Sequence, residues 1–161
     1  MIYKTVSTSS EDTQRLGQRL GQLLAAPALL ELKADLGAGK TTFVRGLAQG
    51  LGSKDTVSSP TFTLSKIYKA KNLQIHHFDF YRLNDAGIVA DQLAESLEDP
   101  NVITVVEWSD IVQNILPEER LSIEFKATAN DAQEREVTIR YSEAKANTIR
   151  RLETDWQELR P

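Results

Sequence analysis

Residues 34–42 read Ala34-Asp35-Leu36-Gly37-Ala38-Gly39-Lys40-Thr41-Thr42, a stretch that combines closely spaced glycines with a lysine and two hydroxyls. This is the spacing of a Walker A phosphate-binding loop, G-x-x-x-x-G-K-[ST], in which Gly39, Lys40 and Thr41 occupy the last three positions. The first position holds Ala34 in place of glycine. Because that position falls where the preceding strand ends, we expect a small residue to suffice there. The stretch therefore predicts a loop that holds phosphates.

The residue types match the chemistry of such a loop. Gly37 and Gly39 allow the backbone to curl until successive N–H groups point at the α- and β-phosphate oxygens. A helix beginning near Lys40 adds the positive end of its dipole, and the lysine reaches the β- and γ-phosphates. The Thr41 hydroxyl is a ligand for the Mg²⁺ that bridges these phosphates, and Thr42 is expected to donate to the α-phosphate.

The flanks of the loop carry the patterns that this motif requires. Residues 28–33 form a short apolar run typical of a buried strand. After the loop, Phe43, Leu47 and Leu51 recur at helical spacing. Strand, loop and helix thus follow one another in the order of a P-loop.

Composition narrows the class of protein. The chain has 161 residues, which predicts one domain over 1–161, and it has no cysteine, which excludes disulfides and a catalytic thiol. The amino-terminal residues lack the apolar region of a signal peptide, and no apolar run approaches the ~18 residues of a membrane span. We expect a soluble, cytoplasmic protein without a membrane partner.

The charge balance argues against extensive nonspecific binding of nucleic acid. The net charge is −4, from 19 basic and 23 acidic residues, whereas such binding needs many phosphate-neutralising cations. We therefore expect no DNA partner. A local basic cluster of Lys66, Lys69, Lys71 and Arg82 is either a solvated hairpin rim or a docking surface for a protein or RNA.

Two acidic residues come at the ends of predicted strands. Asp79 ends the strand predicted over 73–80, which is the place of a Walker B carboxylate, although a surface or capping role is also open. Glu107 follows the apolar run Val102 to Val106, which predicts a central parallel strand. Ligands of α/β folds bind at the carboxyl ends of such strands. Glu107 is thus a candidate for binding Mg²⁺ or for orienting the attacking water.

A hydroxyl-rich segment, residues 56–64, runs into the strand predicted over 62–68. In a P-loop protein this place suits a switch segment, in which Thr61 or Thr63 senses Mg²⁺ and the γ-phosphate. The alternative is an ordinary strand, because β-branched and aromatic residues favour strands.

Four further residues stand close to these candidates. His76 and His77 have no carboxylate or cysteine partner at metal-ligand spacing, so an ordinary place in the sheet is expected. Arg82 is a candidate either for a salt bridge or for a phosphate contact. Trp108 is a candidate for covering the nucleotide, with partner contact and plain packing as alternatives.

The remaining patterns complete an α/β layout. They predict a strand over 2–6, a helix capped near Ser9 and ended before Pro27, a helix from 84 to about 97, a short helix over 111–116, an antiparallel pair around Asn130-Asp131, and a terminal helix over about 143–159. The fold class predicted is a three-layer P-loop NTPase fold, with a mostly parallel central sheet and antiparallel additions.

Four sequence blocks together resemble one family. They are Asp35-Leu36-Gly37-Ala38-Gly39-Lys40-Thr41-Thr42, Ser59-Pro60-Thr61-Phe62-Thr63-Leu64, His77-Phe78-Asp79-Phe80-Tyr81-Arg82-Leu83 and Glu107-Trp108. Their order and gaps are similar to those of the bacterial TsaE family, also called YjeE, over nearly the whole chain. A P-loop alone is widespread, but the later blocks are specific.

The resemblance implies a small Mg²⁺-dependent ATPase that supports threonylcarbamoyladenosine synthesis at position 37 of tRNAs reading codons that start with A. It further implies docking on a TsaB–TsaD heterodimer, so that the chain contacts tRNA only indirectly, through the complex. The ATP/ADP cycle is then expected to return the complex to its starting state between turnovers. The site residues it implies are the loop Leu36 to Thr41, the Mg²⁺ ligands Thr41 and Glu107, the second carboxylate Asp79, and the nucleotide contacts Ser10 and Arg135. Together with Lys40, Asp79 and Glu107 form the expected catalytic set.

The sequence departs from the family at two places. The family usually has glycine where this chain has Ala34, and residues 84–98 show little likeness to the acidic, aromatic segment found there. Two other functions remain open: a small-molecule kinase, for which no arginine-rich lid stands out, and a nucleotide-dependent binding module with negligible hydrolysis.

Overall fold

The structure, a computed structural model, describes residues 1–35, 37–85 and 87–160 and has an α/β architecture. The strands are β1 Ile2–Ser7, β2 Ala28–Lys33, β3 Ser65–Lys69, β4 Gln74–Asp79, β5 Val102–Glu107, β6 Leu121–Ala127 and β7 Arg135–Arg140. The α-helices are α1 Ser10–Leu23, α2 Lys40–Gly50, α3 Gly87–Glu98 and α4 Ala146–Leu159, with 3-10 turns at Ser109–Val112 and Glu143–Lys145.

All seven strands form one sheet in the order β1-β7-β6-β2-β5-β4-β3. The middle strands β6, β2, β5 and β4 are parallel to one another, while β1, β7 and β3 pair antiparallel at the two sides. The parallel centre with antiparallel additions confirms the fold class predicted from the sequence. The carboxyl ends of β2, β4 and β5 consequently meet at one edge of the sheet.

Helices cover both faces of the sheet. Successive residues of a strand point to opposite faces, so each strand contributes to two separate cores. In β2, Leu30 joins a core cluster with residues of α1, α2 and α4, whereas Leu29 joins a second cluster with Leu93 of α3 and Val112. β5 is buried along its whole length, as expected for a central strand with helices on both sides. The result is three layers.

Helices α1 and α2 cross with almost no side chains between them. A Cβ atom on Gly46 would lie 1.9 Å from the Gln14 carbonyl oxygen, and one on Gly17 would lie 2.2 Å from the Phe43 oxygen. Gly21 and Gly50 make equally close approaches. Since α1 begins beside the loop and α2 directly after it, this contact sets how their amino-terminal ends stand relative to each other.

Several boundaries differ from the sequence prediction. Strand β3 begins at Ser65 instead of residue 62, because the N–H groups of Thr63 and Leu64 both bond to the Pro60 oxygen and Leu64 takes φ 68°. A left-handed residue in a turn cannot continue a strand. The short helix expected over 111–116 is instead a 3-10 turn at Ser109–Val112.

The carboxyl-terminal helix packs on the body of the fold. Ile149, Leu152 and Trp156 are buried, and Arg19 of α1 forms an ion pair with Asp155 of α4. Leu159, the last residue of this helix, is 46% exposed. Among the helices that the structure describes, none is long and apolar enough to cross a membrane.

Candidate functional site

The loop between β2 and α2 has the backbone of an anion cradle. Gly37 and Gly39 take φ values of 76° and 104°, a left-handed region that strongly favours glycine. Gly39 is also the N-cap of α2 and has no side chain to cap it. The N–H groups of the first turn are therefore available to a bound anion. Leu36, predicted to belong to this cradle, lies outside the described residues.

Lys40 opens α2 and is nearly buried, with 6% of its surface exposed. Its Nζ donates to the Ala34 oxygen at 2.9 Å and lies 4.5 Å from the centre of the Trp108 ring. Burial lowers the pKa of Lys40, and the nearby carboxylates, chiefly Glu107 and Asp79, offset only part of this. Ala34, the irregular Walker position, thus supplies a backbone oxygen that holds the lysine.

The two acidic candidates lie side by side. Asp79 and Glu107 end the neighbouring parallel strands β4 and β5, are paired in register, and are each 2% exposed. Asp79 accepts from the Thr61 hydroxyl at 2.7 Å and from the Tyr81 N–H at 2.9 Å. Burial raises the pKa of Asp79 above its usual range; these two hydrogen bonds lower it in part, and the charge of Glu107 raises it again.

Of the two switch candidates, Thr61 faces the site and Thr63 does not. Thr61 donates to Asp79, so the 2.6 Å contact between the Ser59 and Thr61 hydroxyls has Ser59 as its donor. Thr63 is exposed and does not line the cleft. The residues 61–63 form a turn instead of a strand, which favours the switch interpretation of the segment.

The start of this segment is held by β3. The Tyr68 hydroxyl donates to the Ser58 oxygen at 2.8 Å, and Lys66 donates to the Ser58 hydroxyl. Tyr68 itself is buried. The basic cluster is therefore partly committed to internal contacts, and Arg82 of the same cluster lies over the ring of Phe62 at 4.6 Å.

The chain changes direction sharply after Glu107, the last residue of β5, and Trp108 follows on the turn. Glu107 Oε1 lies 3.1 Å from His77 Nε2, and both side chains are buried. Trp108 has φ 54° and ψ 55°, and its ring centre lies 4.9 Å from that of Tyr81. This conformation turns the indole over Lys40, where it forms one wall of the site.

These side chains surround one cleft of about 430 Å³, a size that suits a small-molecule ligand. The cleft is not lined by the candidates Thr63 and Arg82, but it is lined by the other expected site residues, apart from the undescribed Leu36: Ser10, Gly37, Ala38, Gly39, Lys40, Thr41, Thr42, Asp79, Glu107, Trp108 and Arg135. Their roles stay predictions, but the fold brings them together. Arg135 is held there by donating to the Ala132 and Glu134 oxygens.

Some lining and supporting residues were missed by sequence reasoning. Thr13, Ser59 and Gln133 also line the cleft, and His77 contacts Glu107 from behind. A simple signal existed for two of them. Thr13 lies about one helical turn after Ser10, and His77 lies two residues before Asp79 on β4, so each shares a side of its element with a predicted site residue. Ser59 and Gln133 lie in irregular segments, which carry no such periodic signal.

The donor set fits a magnesium nucleotide. Mg²⁺ prefers oxygen ligands and commonly takes one or two carboxylates together with phosphate oxygens and water. Thr41, Asp79 and Glu107 supply hydroxyl and carboxylate oxygens beside a glycine cradle that a Cβ would strain. Within the described part of the chain, no three His, Cys, Asp or Glu residues gather as a protein-only metal site.

Comparison with known proteins points to one family. Residues 7–137 match the family model described as Threonylcarbamoyl adenosine biosynthesis protein TsaE. The tRNA threonylcarbamoyladenosine biosynthesis protein TsaE of Treponema pallidum is 38% identical over 136 residues, covering 84% of this chain and 98% of that protein. The protein of the same name from Bacillus subtilis is 37% identical, covering 84% and 82%.

A solved structure agrees with this. The crystal structure of YdiB from Bacillus subtilis superposes with a TM-score of 0.80 at 31% identity and covers 96% of each chain. The family match over residues 7–137 includes the glycine loop, residues 56–64 and the paired carboxylates Asp79 and Glu107. The chain belongs to the TsaE family of proteins of threonylcarbamoyladenosine biosynthesis.

Proposed function

We propose that the chain binds ATP with Mg²⁺ and hydrolyses it to ADP and phosphate. The observation that carries the proposal is the position of Lys40 beside two buried carboxylates, Asp79 and Glu107, in one cleft with a glycine cradle. A cradle alone supports binding only. Paired carboxylates beside the lysine that is expected to contact the γ-phosphate support hydrolysis as well.

Each group has a distinct task in this proposal. The N–H groups of the first turn of α2 hold the α- and β-phosphates, and Lys40 leaves the Ala34 oxygen for the β- and γ-phosphates. Thr41 and Glu107 would hold Mg²⁺, with Asp79 beside them. The metal, when bound, neutralises charge that develops on the phosphate oxygens. A carboxylate oxygen that is not occupied by the metal orients the attacking water.

Three residues at the rim are proposed to contact the rest of the nucleotide. Ser10 stands at the beginning of α1, Arg135 at the beginning of β7, and Trp108 on the turn after β5. They approach the cleft from separate elements. Ser10 and Arg135 provide a hydroxyl and a guanidinium, which suit a ribose and a phosphate, and Trp108 provides an aromatic wall that covers the nucleotide.

We further propose that hydrolysis supports threonylcarbamoyladenosine synthesis at position 37 of tRNAs reading A-starting codons, on a TsaB–TsaD-like heterodimer. The names of the relatives support the pathway. Phe62, which follows the Thr61 that bonds to Asp79, is 82% exposed and lies under Arg82. An exposed aromatic residue joined to the nucleotide site in this way suits a partner surface that responds to the nucleotide.

The direct test is ATP turnover with and without a TsaB–TsaD heterodimer. We expect free phosphate to appear, faster with the partners present, and Lys40→Ala to abolish it. Phosphate transferred to an added metabolite would show a kinase instead. Nucleotide-dependent binding to the partners without any turnover would show a binding module.

The carboxylates have their own test. We expect Asp79→Asn and Glu107→Gln each to lower the turnover rate by about 10² or more, because each removes a charge beside the reacting phosphate. Both substitutions keep the side-chain shape, so ADP binding without Mg²⁺ serves as the control for folding. Wild-type turnover in both variants contradicts the assignment.

A further inference from the structure

Glu107 is held in a way that differs from its neighbour Asp79. Asp79 accepts hydrogen bonds on both oxygens, from Tyr81 and Thr61. Within residues 1–35, 37–85 and 87–160, Glu107 has one such contact, between its Oε1 and His77 Nε2 at 3.1 Å. A buried carboxylate that is fixed at one oxygen keeps the other oxygen for a ligand in the cleft.

The hydrogen of this contact can be assigned to the histidine. A carboxylate accepts hydrogen bonds, so Nε2 is the donor. The other ring nitrogen, Nδ1, is buried and has no partner among the described residues. Burying a ring nitrogen that carries no hydrogen and has no partner costs less free energy than burying an unpaired N–H group. The ring therefore carries its hydrogen on Nε2.

The His77 ring is itself fixed in place. It is fully buried on β4, its backbone pairs with Val105 of β5, and its centre lies 6.2 Å from that of Tyr68. Asp79, two residues further along β4, is the residue opposite Glu107. The imidazole thus reaches diagonally along the sheet and approaches Glu107 from the side away from the opening.

We propose that His77 is a positioning residue, which orients the Glu107 carboxylate for Mg²⁺ and for the water that attacks ATP. The inference rests on the proposed function. His77 does not touch the nucleotide; it holds Oε1 so that Oε2 presents itself to the cleft. A metal ligand commonly depends on such a second partner, whose loss costs about 10–100-fold in metal affinity or activity.

The test compares two substitutions at His77. His77→Leu fills the buried space without a donor, whereas His77→Gln keeps an N–H donor near the position of Nε2. We expect His77→Leu to lower kcat by about tenfold or more with ADP affinity in the absence of Mg²⁺ unchanged, and His77→Gln to recover most of the loss. His76→Leu, on the opposite face of the same strand, is the matched control.

A second readout does not need turnover. The gain in nucleotide affinity on adding Mg²⁺, measured with a fluorescent ADP analogue, is expected to shrink in His77→Leu and to persist in His77→Gln and His76→Leu. If wild-type protein shows this gain but no turnover under any condition, the proposed hydrolysis fails and the positioning of the metal ligand stands. If the gain is unchanged in His77→Leu, the positioning role fails.

The tautomer offers a third check on the wild-type protein. The chain contains two histidines, so long-range ¹H–¹⁵N spectra resolve both rings, and His77→Gln assigns them. We expect the His77 hydrogen on Nε2, with a shift of that signal in Glu107→Gln. A hydrogen on Nδ1 alone overturns the proposal, because His77 then has nothing to donate to Glu107.

Discussion

At the scale of single residues, the site depends on how each polar side chain is held. Lys40 rests on the Ala34 oxygen, Asp79 is held by Thr61 and the Tyr81 N–H, and Glu107 contacts His77. Every one of these contacts comes from another element or from the loop itself. The residues are therefore oriented before any ligand arrives, which is the usual requirement of a catalytic site.

Thr61 and Thr63, the two candidates for the switch threonine, make a matched pair for a test. Thr61→Val removes a hydroxyl that donates to Asp79, whereas Thr63→Val changes an exposed hydroxyl that does not line the cleft. We expect Thr61→Val to lower ATP turnover about tenfold, as for the loss of a hydrogen bond to a charged group. Thr63→Val is expected to match wild type in the same assay, and equal effects of the two would contradict the assignment of the switch threonine.

At the scale of elements, the crossing of α1 and α2 connects two sides of the cleft proposed to bind the nucleotide. The helices approach backbone to backbone through Gly17, Gly21, Gly46 and Gly50. Ser10 lies at the start of one helix and Lys40 at the start of the other. A small change in this crossing therefore moves a rim residue relative to the phosphate loop.

We expect Gly46→Ala to destabilise the protein by about 1–3 kcal/mol, because its Cβ would lie 1.9 Å from the Gln14 oxygen. Helix propensity alone predicts the opposite sign, since alanine is better than glycine by about 1 kcal/mol. Urea unfolding decides between them. Arg45→Ala, exposed on the same helix, is the control, and a more stable Gly46→Ala would mean that the helices do not cross this closely.

A buried carboxylate joins β2 to the segment that follows Trp108. Glu31 is fully buried and accepts from the Ser109 hydroxyl, from Gln113 and from the Arg120 guanidinium. This cluster ties the strand before the P-loop to the 3-10 turn after β5. It thereby stabilises the sharp turn that places Trp108 over the lysine.

The cluster predicts a pH dependence of stability. Burial raises the pKa of Glu31, but the hydrogen bonds from Ser109, Arg120 and Gln113 outweigh this, so the pKa lies below its ordinary value of 4.5. A carboxylate with a lowered pKa in the folded state stabilises that state above its unfolded pKa. The contribution is lost as the pH falls through the folded pKa.

We expect Glu31→Gln to lower the free energy of unfolding by about 1–3 kcal/mol at neutral pH. The difference from wild type should stay constant down to about pH 5 and shrink below the ordinary value of 4.5. Urea unfolding at a series of pH values measures it. A difference that grows on acidification would show that the carboxyl is protonated in the folded protein.

At the scale of the whole molecule, we expect the proposed nucleotide binding to increase the stability of the fold. The cleft is formed by α1, the P-loop, β4, β5 and the β6–β7 hairpin, so a ligand there holds distant parts of the chain together. The expectation of a single domain over 1–161 and of a cytoplasmic location remains a prediction.

We expect ADP with Mg²⁺ at about 100 times its dissociation constant to stabilise the wild-type protein by about 2.7 kcal/mol. Thermal unfolding measures this as a rise in Tm. Lys40→Ala should show no rise at the same concentration, because the cleft then lacks its central phosphate contact. An equal rise in this variant would place the nucleotide elsewhere on the protein.

The sequence by itself determined the P-loop, the fold class and the family. The glycine-lysine-threonine spacing and the apolar run before it are local patterns, and local patterns report backbone conformation and strand burial directly. Glu107 followed from similar logic, because it ends a strand whose apolar residues mark it as parallel and central, and Asp79 followed from its place at the end of a predicted strand, where a Walker B carboxylate belongs.

Only the tertiary structure decided which groups touch. Sequence reasoning left His77 as an ordinary sheet residue, could not choose between Thr61 and Thr63, and did not single out Glu31 or the glycines of α1 and α2. Each of these depends on a partner that is distant along the chain, such as Glu107 for His77 and Arg120 for Glu31. The free energy of a buried hydrogen bond or of two backbones in contact arises from proximity in space, and only the folded chain provides that proximity.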